Sequence, residues 1–236
     1  MTTVQAAEHA ASAPRSGAPR IHFAGAGGIY LDCGDARIDV GIQQRIWALA
    51  KALRGPAHLD GIREIVPGVN NILVLFDPLQ LAPHAVRDWV LAQWEQATAA
   101  ASAPRVVDIP VIYGGDGGID LQEQAQRAGL GVHDYVALHS SAQFQVMCIG
   151  STPGFSYLSG LPERLHAPRR SVPRLRIPRG SVVIGGVQAG VMPEAAPSGW
   201  HILGVTSAAV FDATRAAPCL FEPGDTVRFV AREVIA

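Results

Sequence analysis

Six arginines crowd the stretch from residue 164 to residue 179: Arg164, Arg169, Arg170, Arg174, Arg176 and Arg179. Pro168, Pro173 and Pro178 space them, and because each proline fixes φ and removes a backbone donor, the guanidinium groups are expected on a stiff, non-helical loop. Planar forks held this way suit recognition of carboxylate or phosphate. The competing reading is a solvated basic loop that pairs with acids elsewhere in the fold. Around it, Phe155 and Tyr157 flank Ser156 and offer a pocket wall with one polar handle. Gly185 and Gly186 permit close backbone approach, or form an ordinary turn, and the Gln188 amide both donates and accepts. His139 has the ring to act as an acid or base near neutral pH, or else packs locally.

The elements that position these groups divide into two parts. Over residues 21–99 the pattern is α+β: Gly28–Leu31 reads as a strand, Val40–Leu53 as a helix with Ile42, Ile46, Leu49 and Leu53 on one face, Asp39 as its N-cap and Gly55-Pro56 as its stop. Strands are expected at 62–66 and 71–76 around the turn at Pro67-Gly68, and Pro83 opens a second helix bearing Val86, Trp89, Val90 and Trp94. A small α+β sandwich results. Residues 97–104 read as a linker. Over residues 105–236 short strands dominate, at 106–113, 144–149, 181–184, 202–205 and 227–230, with helices at 121–128 and 133–138, which predicts a partly closed β-barrel.

Composition excludes several function classes. The net charge of −1 gives no electrostatic footprint for nucleic acid. No apolar run is long enough for a membrane span, and residues 1–20, rich in Ala, Ser and Pro, read as a disordered tail rather than a secretory signal, which places the protein in the cytoplasm. Cys33, Cys148 and Cys219 are widely separated and expected to be reduced, and no His/Cys spacing fits a metal site. Lys51 is the single lysine, so a P-loop is absent. Gly25-Ala26-Gly27-Gly28 imitates a dinucleotide fingerprint, yet position six is Tyr30 and a strand follows it. Gly150-Ser151-Thr152-Pro153-Gly154 imitates a nucleophile elbow, but the serine is off-centre and Pro153 forbids the helix that should follow, so Ser151 reads as a turn residue.

Taken in order, Tyr113-Gly114-Gly115-Asp116, Asp120-Leu121, His139-Ser140, Pro153-Gly154-Phe155, Tyr157-Leu158, Pro168-Arg169-Arg170, Pro173-Arg174, Pro178, Gly180-Ser181-Val182 and Gly185-Gly186 through Gln188 resemble the family of 5-oxoprolinase B subunits, also known as allophanate hydrolase subunit 1 or Kip-type histidine-kinase inhibitor. The resemblance spans residues 28–233. It implies a small N-terminal α+β domain joined to a cyclophilin-like β-barrel. It also implies a non-autonomous subunit that works with A and C subunits to open 5-oxoproline to glutamate, with ATP used by the complex and no cofactor bound by this chain. Carried over by position, it implies His139 and Arg174 as catalytic residues, and Phe155, Tyr157, Arg169, Arg170, Ser181 and Gln188 as substrate-binding residues. Arg164 and Arg179 are expected at the surface or at a subunit contact. The same family also admits an allophanate- or urea-type amide-processing subunit, and a kinase-binding module without catalysis. Two departures bear on the cleft. Ser156 stands where the family has proline, and Ser198 stands in Pro197-Ser198-Gly199-Trp200 where the family has glycine, which puts the local backbone there in question.

Overall fold

The computed structural model describes residues 19–34, 37–55, 58–98 and 104–236. Most of the expected tail, the Pro56 helix stop and residues 99–103 of the expected linker lie outside the described residues.

The first sheet is antiparallel in the order β1 (Arg20–Phe23), β2 (Gly28–Asp32), β4 (Asn71–Phe76), β3 (Ile62–Pro67). Its β4 strand alternates strictly, with Ile72, Val74 and Phe76 buried, and that face receives α1 (Val40–Arg54) and α2 (Pro83–Gln96). The Asp39 carboxylate caps α1 by accepting from the Ile42 N–H at 2.9 Å, as the sequence pattern predicts. Lys51 and Arg54 occupy the last turn of α1, where cations complement the helix dipole. The Gly25–Gly28 run turns β1 into β2 as an antiparallel hairpin, which is not the strand-to-helix turn of a dinucleotide site.

The second sheet closes on itself. Its strands are β5 (Val106–Gly114), β6 (Phe144–Ile149), β7 (Ser156–Ser159), β9 (Ser181–Gly185), β10 (Gln188–Val191), β12 (His201–Val205) and β13 (Thr226–Ile235), running β10-β7-β6-β13-β5-β12-β9 around the barrel. Helices α3 (Leu121–Arg127) and α4 (Val132–Ser141) interrupt them, close to where helical spacing places them. Inward residues such as Val182, Ile184, Leu158, Ala189, Leu203 and Phe229 fill the interior, so the barrel is a packed core and not a channel.

The expected 164–179 loop is corrected in one respect. Arg174–Ile177 is a strand, β8, paired antiparallel with β11 (Ala196–Ser198) in a separate two-stranded ribbon laid against the barrel. Proline at positions 173 and 178 limits that strand to four residues and does not prevent it, because neither ring sits inside it.

Two side chains of α1 join the sandwich to the barrel. The pairing of β6 with β7 slips between Val146 and Cys148, which frees the Met147 carbonyl from the ladder. That carbonyl accepts from Gln43 Nε2 and from Trp47 Nε1, each at 2.9 Å. Gln43 is fully buried and also accepts from the Asn70 N–H at 2.7 Å, so its amide is satisfied on both sides.

Candidate functional site: an aromatic cluster on the outer barrel wall

Strand alternation decides where the site lies. On β9, Val182 and Ile184 point into the barrel, so Val183 and Gly185 face out; on β7 and β10, Leu158 and Ala189 point in, so Tyr157 and Gly190 face out. Phe155, Ile177, Val183, Met192, Trp200 and Ile202 form a second apolar cluster on that outer wall, under the β8–β11 ribbon, with Tyr157 half-buried at its margin. The three rings meet edge to face: Phe155 and Tyr157 at 4.9 Å between centroids, Phe155 and Trp200 at 5.5 Å, Tyr157 and Trp200 at 6.2 Å.

Two glycines make room for them. A Cβ on Gly185 would lie 2.7 Å from the Trp200 ring, and one on Gly190 would lie 3.0 Å from Phe155 Cζ. Gly186, by contrast, has φ +64° and serves the β9–β10 turn, so of the adjacent pair one glycine admits a ring and the other turns the chain. Gly185→Ala is expected to push the Trp200 ring off the wall, lowering stability by about 1–3 kcal/mol through overpacking. A red shift in tryptophan emission together with a lower urea midpoint would report it; an unchanged spectrum and midpoint would show that the ring has room to move.

The arginines are organised around one buried acid. Asp120, 2% exposed, accepts from Arg174 Nη1 at 2.8 Å and Nη2 at 2.7 Å, a bidentate pair, and from the Ile202 N–H at 2.7 Å. Arg170 Nη1 stands 3.6 Å from the same carboxylate, while its buried Nε has no partner among the described residues. Arg169 places its guanidinium 5.4 Å above the Trp200 ring and has no acid partner among the described residues. Arg164 donates to the Ala128 and Gly129 carbonyls, and Arg179 to Glu194, both at the surface.

Backbone bonds keep the arginine segment in place. Ala167 pairs with Gly186 in both directions, and the Arg170 N–H donates to the Gly199 carbonyl at 2.8 Å. His201 adds a polar strut. Its Nε2 lies 2.9 Å from the Pro168 carbonyl, which only accepts, so Nε2 carries the proton and Nδ1 accepts from Gln124 Nε2 at 3.1 Å. Gln124 Oε1 in turn accepts from Arg127 Nε at 2.9 Å. The Pro168-Arg169-Arg170 backbone is thereby tied to β9, β12 and α3 together.

The eight residues singled out in the sequence do not form one cleft. Phe155, Tyr157, Arg169, Arg170 and Arg174 gather at the outer wall. Gln188 belongs to the same face through its register with Gly185, and Ser181, 3% exposed, begins β9 two residues before Val183. His139 is on the other side of the wall, fully buried among the Tyr113, Phe144 and Phe229 rings. Its Nδ1 is 2.8 Å from the Tyr113 hydroxyl, its Nε2 has no partner among the described residues, and burial pushes its pKa down to about 3. The family resemblance and its residue type singled out this histidine, but only closure of the barrel separates it from the arginines.

Asp120, Trp200 and His201 are the members that the sequence did not single out as site residues. A surplus of arginines implies a buried acid somewhere, but nothing local distinguishes Asp120 from Asp116 four residues earlier. Ser198 does not strain the chain. It lies in β11 outside the positive-φ region, and its hydroxyl accepts from the Trp200 N–H at 3.2 Å. Ser151, with φ +68°, is a turn residue as expected. Among the described residues no group of His, Cys, Asp and Glu could hold a metal ion, and no helix is long and apolar enough to cross a membrane.

Known proteins share this architecture. The family model for the carboxyltransferase domain, subdomains C and D, matches residues 19–221. The 5-oxoprolinase B subunit of Escherichia coli O157:H7 is 46% identical over 192 residues, covering 81% of this chain and 86% of the relative. The crystal structure of TTHA0988 is 36% identical with a TM-score of 0.76 over 87% of this chain, which spans 40% of that one. The urea amidolyase of Kluyveromyces lactis, 21% identical, shares the fold with a TM-score of 0.77 over 92% of this chain and 15% of its own.

Proposed function

The chain belongs to the family of 5-oxoprolinase B subunits, and from that premise we propose that it serves as the B subunit of an ATP-dependent complex, with A and C subunits, that opens 5-oxo-L-proline to L-glutamate, the outer-wall aromatic cluster and its arginines being its substrate site. One observation carries the reading: a guanidinium without an acid partner among the described residues, Arg169, stands over the Trp200 indole at the edge of a buried aromatic cluster. A five-membered lactam with a carboxylate is flat, partly apolar and anionic at one end. Its ring suits Tyr157 and Trp200, and its carboxylate suits the guanidinium groups of Arg169 and Arg170.

The remaining residues take supporting parts. Gln188, on the same face, has an amide that donates to the lactam carbonyl and accepts from the lactam N–H at once. As the ring opens, negative charge builds on the carbonyl oxygen, and guanidinium groups already held in place stabilise it without reorganising. Arg174 commits both terminal nitrogens to Asp120, so its contribution is to position the arginine segment and the ribbon over the aromatic cluster. A role for His139 in proton transfer requires a path through the barrel wall, and its neutral, enclosed ring favours a structural task.

The test is glutamate release from 5-oxoproline and ATP by the reconstituted A, B and C subunits, omitting each in turn. Activity is expected to vanish without this chain. Arg169→Ala is expected to raise KM for 5-oxoproline by about tenfold or more, the effect of losing one charge-assisted contact, with an unchanged urea midpoint. A complete, folded set of subunits that releases no glutamate would refute the substrate assignment.

A further inference from the structure

We propose that the β8–β11 ribbon is a docking arm for a companion protein subunit, and that the occupant is an extended acidic segment of that subunit lying against β8. The inference rests on the subunit reading above and names the surface it uses.

The first observation is exposure where burial is expected. Leu175, at the centre of β8, is 90% exposed, and Val172, three residues before it, is 72% exposed. Two large apolar side chains within four residues, on an arm that folds against the barrel through Ile177 and Ala196, form a localised apolar site on an otherwise basic segment. The second observation is an open edge. Among the described residues β8 has β11 as its one strand neighbour, so the other side of Arg174–Ile177 presents backbone donors and acceptors to a further strand.

Charge selects the occupant. Arg174 and Arg176 belong to β8 and Arg169 and Arg170 to the segment that leads into it, and among the described residues Asp120 pairs with Arg170 and Arg174 alone. A second copy of the chain would bring the same arginines against these, at an edge where like charges already discourage self-pairing. An acidic segment meets no such repulsion and offers carboxylates to Arg176, which has no acid partner among the described residues. A companion domain also agrees with TTHA0988, in which the part matched by this chain makes up 40% of a longer polypeptide. Because Ile177 and Ala196 of the ribbon pack on the Phe155, Tyr157 and Trp200 cluster, docking on the ribbon would hold that cluster in place and make turnover depend on assembly.

The test mixes purified chain with its C-type companion subunit and measures Kd by titration, for the wild type, Leu175→Glu, the Val172→Glu/Arg176→Glu double variant and the control Leu79→Glu, a 95% exposed leucine in the sandwich. Both ribbon variants, checked for unchanged melting, are expected to bind about a hundredfold more weakly, the loss typical of a central contact, while the control binds as wild type. A wild type that binds while both ribbon variants bind equally well overturns the docking arm alone. A wild type that does not bind the companion overturns the subunit reading with it. A wild-type chain that dimerises by itself in light scattering, with Leu175→Glu monomeric, assigns the ribbon to a second copy and also overturns the proposal.

Discussion

Arg174→Ala is expected to lower the free energy of unfolding by about 3–5 kcal/mol, because it leaves the Asp120 carboxylate buried without its bidentate partner. After the change the carboxylate keeps the Ile202 N–H at 2.7 Å and Arg170 at 3.6 Å, one neutral donor and one distant charge. Neither replaces two short charged bonds to a carboxylate that the fold holds at 2% exposure. Asp120→Asn is expected to cost less, since it removes the buried charge and retains an acceptor for Ile202. Combining Arg174→Ala with Asp120→Asn should recover part of the loss and give a coupling energy of at least about 1 kcal/mol in a double-mutant cycle. Urea unfolding of the four proteins measures all of this. Should Arg174→Ala unfold like wild type while its reconstituted complex loses turnover, the guanidinium would belong to the substrate and not to Asp120.

The second large effect is on pH stability. Burial holds the native His139 ring neutral down to about pH 3, whereas in the unfolded chain it takes up a proton near the ordinary 6.5. Between those values the unfolded state binds the extra proton, so this contribution is complete above about pH 6.5 and is lost progressively as pH falls towards 3. Its full size is roughly 4–5 kcal/mol, of which about 2 kcal/mol is gone by pH 5. Wild type should therefore lose about 2 kcal/mol more between pH 7.5 and pH 5 than His139→Gln, compared by urea midpoints at the two pH values. Equal losses in the two proteins would mean that water reaches the ring in the folded state.

Arg174 and His139 look alike in the sequence, as candidate catalytic groups, and the structure gives them different tasks. Arg174 is held by an acid fifty-four positions away, and His139 by rings contributed from β5, β6 and β13. Pairings of that range leave no local mark. The β8 strand was hidden for a related reason: its four residues sit between two prolines in a segment whose composition reads as loop, and it exists because β11 pairs with it.

What the sequence determined by itself was the α-helices and the strands of five residues or more. The period of Ile42, Ile46, Leu49 and Leu53 made α1, Asp39 capped it, and short alternating runs between Gly and Pro made a barrel. These are local properties, set by backbone sterics and by neighbours three or four residues away. The tertiary structure decided which side of the barrel each residue occupies. Ring closure places Val182 inside and Val183 outside, brings Trp200 over Gly185 and Asp120 under Arg174, and encloses His139 behind the wall. A one-residue change of side reassigns a side chain from core to site, and that choice depends on strand pairings between segments tens of residues apart.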